Sequence, residues 1–500
     1  MSFQPVLLWT DLLLFVLLAV ALLAIVHVRG NEPLRAAWRK VGKRPTGMAA
    51  AAVLLAFVLV GVLDSLHYRP LLPAAQAEAS AAETEAENGT EAAVDAEAAT
   101  GAESAATGGQ PGPVYSTEVL SVLDALLEPL RAQTEKTYSA PFAWQLYQRE
   151  AMELPDGRQV RDYPRLVHGA AHLQEPEGEL AADVAAHVAS GAGLAAVAWL
   201  LCFVVLATIV WQGSGLGWGQ VALAMLTGHT VLAWRAALVT LATILLIVGV
   251  CLELAPLYHV LGTDKVGQDV LYLSLKSVRT ALVIGTITTL VMMPFAVALG
   301  IAAGYLGGWV DDAVQYVYTV LNAIPGVLLI AAAVLMMQVV IDTHPQWFDT
   351  AAERSDARLL ALCFILGITS WTGLARLLRG ETLKLRELEY VQAARAFGVG
   401  TPAILRRHIL PNVMHIVLIS LVMDFSGLVL AEAVLSYVGI GVDPTTISFG
   451  TMINLARAEL AREPMVWWSL AAAFVFMFVL VLAANLFADV VRDAFDPRRS

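Results

Sequence analysis

Nine long apolar runs dominate this sequence, and they limit what the chain can fold into. They centre on residues 7–27, 47–63, 192–211, 236–255, 280–303, 314–341, 358–375, 413–437 and 467–489. A bilayer core of about 30 Å needs roughly 20 such residues in an α-helix. Only 15% of the residues are charged, whereas soluble domains carry about 25%. We therefore predict an all-α polytopic membrane protein.

Basic residues in the connecting segments predict the orientation of the chain. Lys and Arg favour the cytoplasmic side of a membrane. The segment between the first two runs carries Arg29, Arg35, Arg39, Lys40, Lys43 and Arg44. Residues 376–412 and the C-terminal tail are also basic, and the count of spans places all three on one side. We expect a multi-pass protein of a bacterial inner membrane, with a periplasmic N-terminus and a cytoplasmic C-terminus.

The chain divides into four parts on this pattern. Residues 1–63 form a pair of transmembrane helices, and residues 192–235 form an extra span with a cytoplasmic loop. Between them lies a periplasmic insertion, 64–191. Its residues 77–112 are acidic and poor in large apolar side chains, which predicts a disordered linker. Its residues 113–190 have apolar residues at helical spacing behind Ser116, which predicts a small helical module. Residues 236–500 are the fourth part.

Several classes of function are disfavoured by the residues. Eight carboxylates and no Lys or Arg fall within residues 77–110, so the net charge of −12 gives no support for nucleic-acid binding. The cysteines Cys202, Cys251 and Cys363 are far apart within apolar runs, and no zinc-type spacing occurs. The motifs of nucleophilic hydrolases, zinc proteases and P-loop ATPases are absent from the sequence. We expect no enzyme activity, catalytic residue, metal site or cofactor in this chain.

The most informative segment is the polar, basic stretch 387–411. Its first part is rich in alanine and favours a helix, which Gly398 and Gly400 end. Thr401 can cap a second helix, and Pro402 suits its first turn. We therefore predict a cytoplasmic helical hairpin, although a solvated loop is the plainer interpretation of such a stretch.

The hairpin resembles the signature of ABC-importer permeases, which reads E-A-A, three residues, Gly, nine residues, I-x-L-P. The matching residues here are Gln392, Ala393, Ala394, Gly398, Ile409, Leu410 and Pro411. Gln392 replaces the acid, and His408 replaces the isoleucine, so an ion pair at the first position is not expected. The resemblance implies that the hairpin is a coupling helix held in a cleft of an ATPase subunit.

Four further elements resemble the second permease of dipeptide, oligopeptide and nickel importers. They are Leu261–Asp269 (with Gln268 in place of Arg), the turn Gly304–Asp311, the segment Leu435–Gly441, and the ending Arg492–Arg498. The resemblance covers roughly residues 236–500 and implies a six-helix permease core. Residues 1–235 depart from the family pattern. They are either a stabilising or assembly appendage or a docking site for a partner.

The resemblance implies an importer subunit for peptides or similar small solutes that works by alternating access. Its partners would be a companion permease, two cytoplasmic ATPase subunits, a periplasmic solute-binding protein and the lipid bilayer. ATP and Mg would bind to the ATPase subunits. Two alternatives are a secondary transporter, which would need no ATPase, and a non-transporting assembly protein.

Two carboxylates and two prolines lie inside apolar runs. Asp424 and Glu432 are eight residues apart and could share a broad helix face. Because a charge is costly within the membrane, each should face protein or water. They line the translocation pathway or bond to the companion permease. Pro294 and Pro325 are expected to kink their helices.

Overall fold

The computed structural model describes residues 3–71, 115–116, 118–153, 159–213, 215–348 and 350–495. The predicted linker 77–112 lies outside these residues. The helices in chain order are α1 (Trp9–Gly30), α2 (Glu32–Lys43), α3 (Pro45–Asp64), α4 (Val122–Leu126), α5 (Glu128–Ala132), α6 (Pro176–Gln212), α7 (Trp218–Thr227), α8 (Trp234–Leu254), α9 (Val270–Leu306), α10 (Gly308–Ala323), α11 (Gly326–Thr343), α12 (Ala351–Ser370), α13 (Thr372–Arg386), α14 (Glu389–Ala396), α15 (Thr401–Ile404), α16 (Leu410–Val438), α17 (Phe449–Glu459) and α18 (Trp468–Phe495). A 3₁₀ turn, Pro345–Trp347, follows α11.

Nine helical stretches of the described residues are long and apolar enough to cross a membrane. They are α1, α3, α6, α8, α9, α11, α12 together with α13, α15 together with α16, and α18. Each overlaps one apolar run of the sequence. The prediction of an all-α polytopic membrane protein is therefore confirmed.

The sixth apolar run is not one helix, as predicted, but two. α10 ends at Ala323, and α11 begins at Gly326. Ile324 between them is extended, with φ −89° and ψ 131°. Proline disfavours the helical conformation in the residue before it and lacks an N–H for the helix ladder. Pro325 thus separates two helices and does not kink one, whereas Pro294 lies inside the continuous helix α9.

Helix α9 is the centre of the fold. Its 37 residues extend over roughly 55 Å at 1.5 Å per residue. It packs against α1, α3, α12, α13, α16, α17 and α18. Val278, Val283 and Ile284 of α9 are fully buried. The long helix therefore has two ends that lie outside the bilayer core, and different parts of the chain pack around each end.

The N-terminal spans pack directly on this centre. α1 contacts α9 and α12, and α3 contacts α8, α9 and α18. α6 crosses α8 so closely that a Cβ atom on Gly191 would lie 2.7 Å from the carbonyl oxygen of Gly249. Small residues allow such close approach between membrane helices.

Buried ion pairs also join the N-terminal spans to α9. Arg279 donates from Nη2 to Asp11 Oδ1 of α1 at 2.6 Å. Lys276 Nζ lies 2.7 Å from Asp64 Oδ1 of α3 and 3.0 Å from Asp124 Oδ1 of the insertion. The side chains of the three carboxylates are at most 5% exposed. The N-terminal spans therefore supply the counter-charges for two cations of the central helix.

The insertion differs from its prediction. A three-stranded antiparallel sheet joins β1 (Phe3–Val6), β2 (His67–Pro70) and β3 (Leu120–Ser121). A hairpin pairs β4 (Glu150–Glu153) with β5 (Gln159–Asp162). Between Gln133 and Glu175 the described residues contain no helix. The prediction of a largely helical module over 113–190 is wrong there.

A capping residue explains why the predicted insertion helix is short. Ser121 accepts from the backbone N–H of Asp124, so α4 begins after Ser121 and not after Ser116. Proline follows at position 129, in the first turn of α5. Proline has no N–H to donate to the preceding turn, which favours a break between the two helices. The apolar spacing is satisfied by two five-residue helices.

The two ends of the molecule carry different segments. At one end, β1 pairs with β2 of the insertion, and Trp468 of α18 donates from Nε1 to Thr263 O at 2.9 Å. We call this the insertion end. At the other, Arg44 forms an ion pair of 2.9 Å with Asp493 near the last residues of α18. The hairpin 387–411 packs there against Tyr305 of α9. We call this the hairpin end, and it holds the described parts of the three basic segments.

Candidate functional site

The hairpin has the order of elements that the sequence predicts. α14 ends at Ala396, and Gly398 has a φ of +78°, a left-handed conformation that favours glycine. Gly400 is the N-cap of α15, so Thr401 lies inside the first turn and is not the cap, in contrast to the prediction. A π-helical turn, Leu405–Ile409, joins α15 to α16. The second arm of the hairpin is therefore helical from Thr401 into the membrane span.

The base of the hairpin is anchored in the protein interior. Val391, Ile404 and Ile409 are at most 2% exposed. They form one apolar cluster with Tyr305 of α9 and Leu378 of α13. Burial of each such side chain contributes about 1.5 to 3 kcal/mol. Movement of the hairpin should therefore be transmitted to the helices that hold it.

The tip of the hairpin is apolar and exposed. Phe397 is 87% exposed, and Leu388, Tyr390 and Val399 are between 39% and 44% exposed. Phe397 and Val399 flank the turn glycine between the two arms, whereas Leu388 and Tyr390 lie at the start of the first arm. All four residues lie outside the spanning helices. The sequence signature does not include them. An aromatic residue directly before the turn glycine was the available signal for Phe397.

The signature residues divide into two groups. Gln392, Ala393 and Gly398 are exposed, and Ala394 is half-buried. Gln392 donates from Nε2 to the carbonyl oxygen of Glu387 at 3.2 Å. Ile409 is fully buried, Leu410 is half-buried, and Pro411 is exposed where α16 begins. The first arm thus presents small side chains to the outside, whereas the second arm anchors the loop.

A charged clamp fixes the helix that precedes the hairpin. Arg379 of α13 donates to both carboxylate oxygens of Asp311, from Nε at 2.5 Å and from Nη2 at 2.6 Å. This hydrogen-bonded pair lowers the pKa of Asp311. Gly304 of α9 allows α9 and α13 to approach each other closely, because a Cβ atom at this position would lie 2.7 Å from Arg379 O. The Gly304–Asp311 turn therefore positions α13 and, through it, the hairpin.

The two membrane carboxylates have different surroundings. Glu432 is 1% exposed, and its Oε1 accepts from Ser436 Oγ at 2.7 Å and from Ser448 Oγ at 3.0 Å. It therefore faces the interior of this chain rather than an open surface. Asp424 is half-buried, and its carboxylate has no hydrogen-bond or ion-pair partner in the described part of the chain. Asp424 is thus the better placed of the two to face a pathway or another subunit.

At the insertion end, the Leu261–Asp269 element is packed under the insertion. Gly267 has a φ of +81°, and a Cβ atom there would lie 1.7 Å from Glu135 O. Thr263 is fully buried, and its hydroxyl donates to Thr137 O at 2.9 Å. Gln268 donates its backbone N–H to Asp264 Oδ1 at 2.9 Å. The element closes a tight turn before α9 that only glycine can accommodate at position 267.

A buried charge cluster holds this contact. His259 Nδ1 lies 2.9 Å from Asp269 Oδ2, and its Nε2 lies 3.5 Å from Glu135 Oε1. Burial alone lowers the pKa of His259, but the two carboxylates outweigh it and raise the pKa to about 9. Burial likewise raises the pKa of Glu135, yet the bond with His259 and three backbone N–H donors lower it to about 2. His259 and Glu135 are therefore both charged at neutral pH.

Comparison with known proteins gives consistent matches. The family described as "Binding-protein-dependent transport system inner membrane component" matches residues 296–500. The oligopeptide transport system permease protein OppC of Mycobacterium bovis is 31% identical over 282 residues, which cover 53% of this chain and 90% of that protein. The glutathione transport system permease protein GsiD of Pectobacterium atrosepticum is 34% identical over 242 residues, covering 48% of this chain and 73% of that protein.

A solved structure adds a weaker likeness. A chain of the inward-facing MetNI methionine ABC transporter has 16% identity and a TM-score of 0.34, covering 45% of this chain and 96% of that chain. The sequence matches are the stronger finding, and the family match includes the hairpin and helices α10 to α18. The chain therefore belongs to the family of binding-protein-dependent transport system inner membrane components, the permease subunits of ATP-driven ABC importers.

Proposed function

We propose that the importer served by this permease takes up short peptides or similar small solutes. The relatives OppC, DppC and GsiD are named for transport of oligopeptides, dipeptides and glutathione. The shared chemistry of these three is a short, flexible chain with peptide bonds. The permease itself is a transport subunit, and ATP hydrolysis occurs on separate subunits of such importers.

The observation that supports coupling is the exposed apolar tip of the hairpin. Phe397 is 87% exposed on a rigidly anchored loop outside the spanning helices. Exposed aromatic residues of this kind are frequent anchors of protein–protein interfaces. In our proposal an ATPase subunit receives Phe397, and the small residues Ala393 and Gly398 allow its surface to approach closely.

The proposed complex contains a companion permease, two ATPase subunits and a solute-binding protein. The hairpin end faces the cytoplasm and the insertion end faces the periplasm, so the N-terminus is periplasmic and the C-terminus cytoplasmic. In this proposal ATP and Mg bind to the ATPase subunits, and we expect this chain to bind no cofactor. Asp424, which has no partner in the described part of the chain, faces the pathway or the companion permease.

The residues of the hairpin have two roles in this mechanism. Gln392, Ala393, Ala394 and Gly398 contact the ATPase. Ile409, Leu410 and Pro411 connect the hairpin to α16, so that ATP-driven closure of the ATPases moves the membrane helices. The clamp between Asp311 and Arg379 transmits the same movement to α9 and α10. Alternating access of the shared cavity follows from these movements.

Replacement of Gly398 tests the coupling role. Valine in place of Gly398 meets open space, but it disfavours the φ of +78° that the turn needs. In the assembled importer in proteoliposomes, we expect Gly398→Val to retain membrane insertion and to lose most solute uptake per ATP hydrolysed. The measurement is uptake of labelled peptide together with phosphate release.

The control uses the same substitution at a helical glycine. Gly193 of α6 also has open space around its Cβ position, and its φ is not left-handed. Gly193→Val should retain coupled transport. Unchanged uptake and unchanged coupling in Gly398→Val would contradict the proposal.

A further inference from the structure

We propose that the hairpin end carries a binding site for an anionic phospholipid, with the headgroup on α2 and an acyl chain in an adjacent apolar cleft. This site goes beyond transport, and it joins the core to the N-terminal part of the chain, where the family resemblance gives no function. Two observations support this proposal: a cationic helix, and an apolar cavity adjacent to that helix.

Helix α2 is a short basic helix between two spanning helices. The chain segment 29–44, which contains this helix, carries six exposed cations: Arg29, Arg35, Arg39, Lys40, Lys43 and Arg44. Within the described residues, Arg44 pairs with Asp493 at 2.9 Å, whereas Arg35, Arg39, Lys40 and Lys43 have no ion-pair partner. Clusters of four or more cations beside a spanning helix attract anionic lipid headgroups.

The other face of α2 is apolar and holds the helix at the membrane surface. Val41 is 5% exposed and packs on Val490 and Val491 of α18. The ring of Trp38 lies 5.6 Å from that of Phe495 and 6.4 Å from that of Phe487. A basic face opposite an apolar face is typical of a helix that lies in the membrane interface. The cations of α2 are therefore fixed at headgroup level.

An apolar cleft lies between the N-terminal spans and the core. Leu17 of α1, Leu54 and Val58 of α3, Leu290 of α9, Leu421 of α16 and Phe487 of α18 line it. Its volume is about 250 Å³. Among the residues that line it there is no charged side chain, so the chemistry it accepts is a hydrocarbon chain.

One residue connects the two features. Phe487 lines the cleft and also contacts Trp38 on the apolar face of α2. A molecule that fills the cleft thus reaches the level of the cations. An anionic phospholipid matches both features. Its acyl chain lies within the membrane, where the cleft is, and its negative headgroup lies at the membrane surface, where the cations of α2 are. Neither a free phosphate nor an apolar protein helix has both.

The first test is lipid binding to the assembled importer, purified and delipidated in detergent. Phosphatidylglycerol is added, and native mass spectrometry counts the bound lipid. Phosphatidylcholine with the same acyl chains is the comparison. We expect retained phosphatidylglycerol and a thermal stabilisation several-fold larger than with phosphatidylcholine. Equal retention of the two lipids would overturn the headgroup assignment.

Two variants divide the site into its parts. The triple variant R35Q/R39Q/K40Q should lose the preference for phosphatidylglycerol. Val58→Phe fills the cleft and should weaken binding of both lipids. The matched controls are R406Q/R407Q, which removes hairpin cations, and Leu59→Phe, which alters an exposed neighbour on α3. Neither control should change lipid binding.

Three further outcomes would overturn the proposal. The first is an equal loss in R35Q/R39Q/K40Q and R406Q/R407Q, which would indicate a diffuse attraction without a site. The second is normal binding in Val58→Phe. The third is an assembled importer that binds no lipid, which would indicate that another subunit covers the cleft. ATP hydrolysis measured in the same samples shows whether the importer itself is intact.

Discussion

The two ends of helix α9 are completed in different ways. At the insertion end, the partly buried side chains of Lys276 and Arg279 pair with buried carboxylates from the N-terminal spans and the insertion. At the hairpin end, an anchored loop exposes Phe397 and several cations. Buried charged groups need partners within the chain. Exposed apolar groups outside the membrane often mark a site where another protein binds. The cations of the insertion end are therefore paired within the chain, whereas the hairpin end presents an exposed aromatic ring that we propose binds an ATPase subunit.

This difference gives the N-terminal extension a physical role. A permease core without it would leave Arg279 and Lys276 close to the membrane without their counter-charges from Asp11 and Asp64. An uncompensated buried charge costs several kcal/mol. Of the two roles that the sequence left open for residues 1–235, the contacts favour that of a stabilising part of the core.

The largest effect is expected from breaking the pair at the insertion end. Asp11→Asn removes a buried charge that Arg279 contacts at 2.6 Å. We expect a loss of about 3 to 5 kcal/mol in the free energy of unfolding, measured by thermal unfolding in detergent. The double variant D11N/R279M should recover part of that loss.

An exposed ion pair is the control. Glu381 and Lys384 lie 2.9 Å apart at the hairpin end, and the Lys384 side chain is 68% exposed. Glu381→Gln should cost about 0 to 1 kcal/mol. If Asp11→Asn were no more harmful than Glu381→Gln, the insertion end would not depend on its internal pairs.

At the hairpin end, truncation should affect assembly and leave folding intact. Phe397→Ala removes an exposed ring, so the stability of the isolated permease should not change. Binding of the ATPase subunits should weaken by about 2 kcal/mol, measured by titration of the purified ATPase. Phe474→Ala, at a 57% exposed position of α18, is the control and should bind normally. Weaker folding with normal binding in Phe397→Ala would reverse our assignment.

The pH dependence of stability should reflect the His259 cluster. The pKa of His259 is raised from 6.5 to about 9, so its contribution is complete below pH 6.5 and is lost as pH rises through 9. The pKa of Glu135 is lowered from 4.5 to about 2, so its contribution is complete above pH 4.5 and is lost as pH falls through 2.

Thermal unfolding between about pH 6 and about pH 10 tests the alkaline limb. The melting temperature of the unchanged protein should fall over this range, and His259→Gln should flatten the fall. His344→Gln alters a residue outside this cluster, so this variant should show the same fall in melting temperature as the unchanged protein. A fall of the same size in His259→Gln would show that another group controls the alkaline limb.

The smallest effect is expected from deletion of residues 77–112. The ends of the surrounding segment already meet, because Leu71 and Tyr115 form a β-bridge and Ser116 donates to Pro70 O at 3.0 Å. Since the closure entropy of a loop depends weakly on its length, the melting temperature should change little. A deleted protein that no longer assembles would refute the linker prediction.

Much of the fold could be predicted from local patterns. Runs of about 20 apolar residues identify spans because the bilayer fixes their length. Gly398 marks the turn of the hairpin because few other residues adopt its left-handed backbone conformation, with a φ of +78°. The insertion was predicted less well, since Ser121 and a proline divide one apolar pattern into two short helices. Competing caps of this kind are decided by packing.

The sequence by itself determined the membrane spans, the sidedness of the basic segments relative to one another, and the existence of the hairpin 387–411. Each follows from short-range chemistry: hydrocarbon length, charge and turn conformation. Only the tertiary structure decided that Asp11 and Asp64 pair with the cations of α9, that Glu432 faces inwards, and that Phe397 remains exposed. These facts join residues hundreds of positions apart or depend on what surrounds a side chain. No local pattern contains that information.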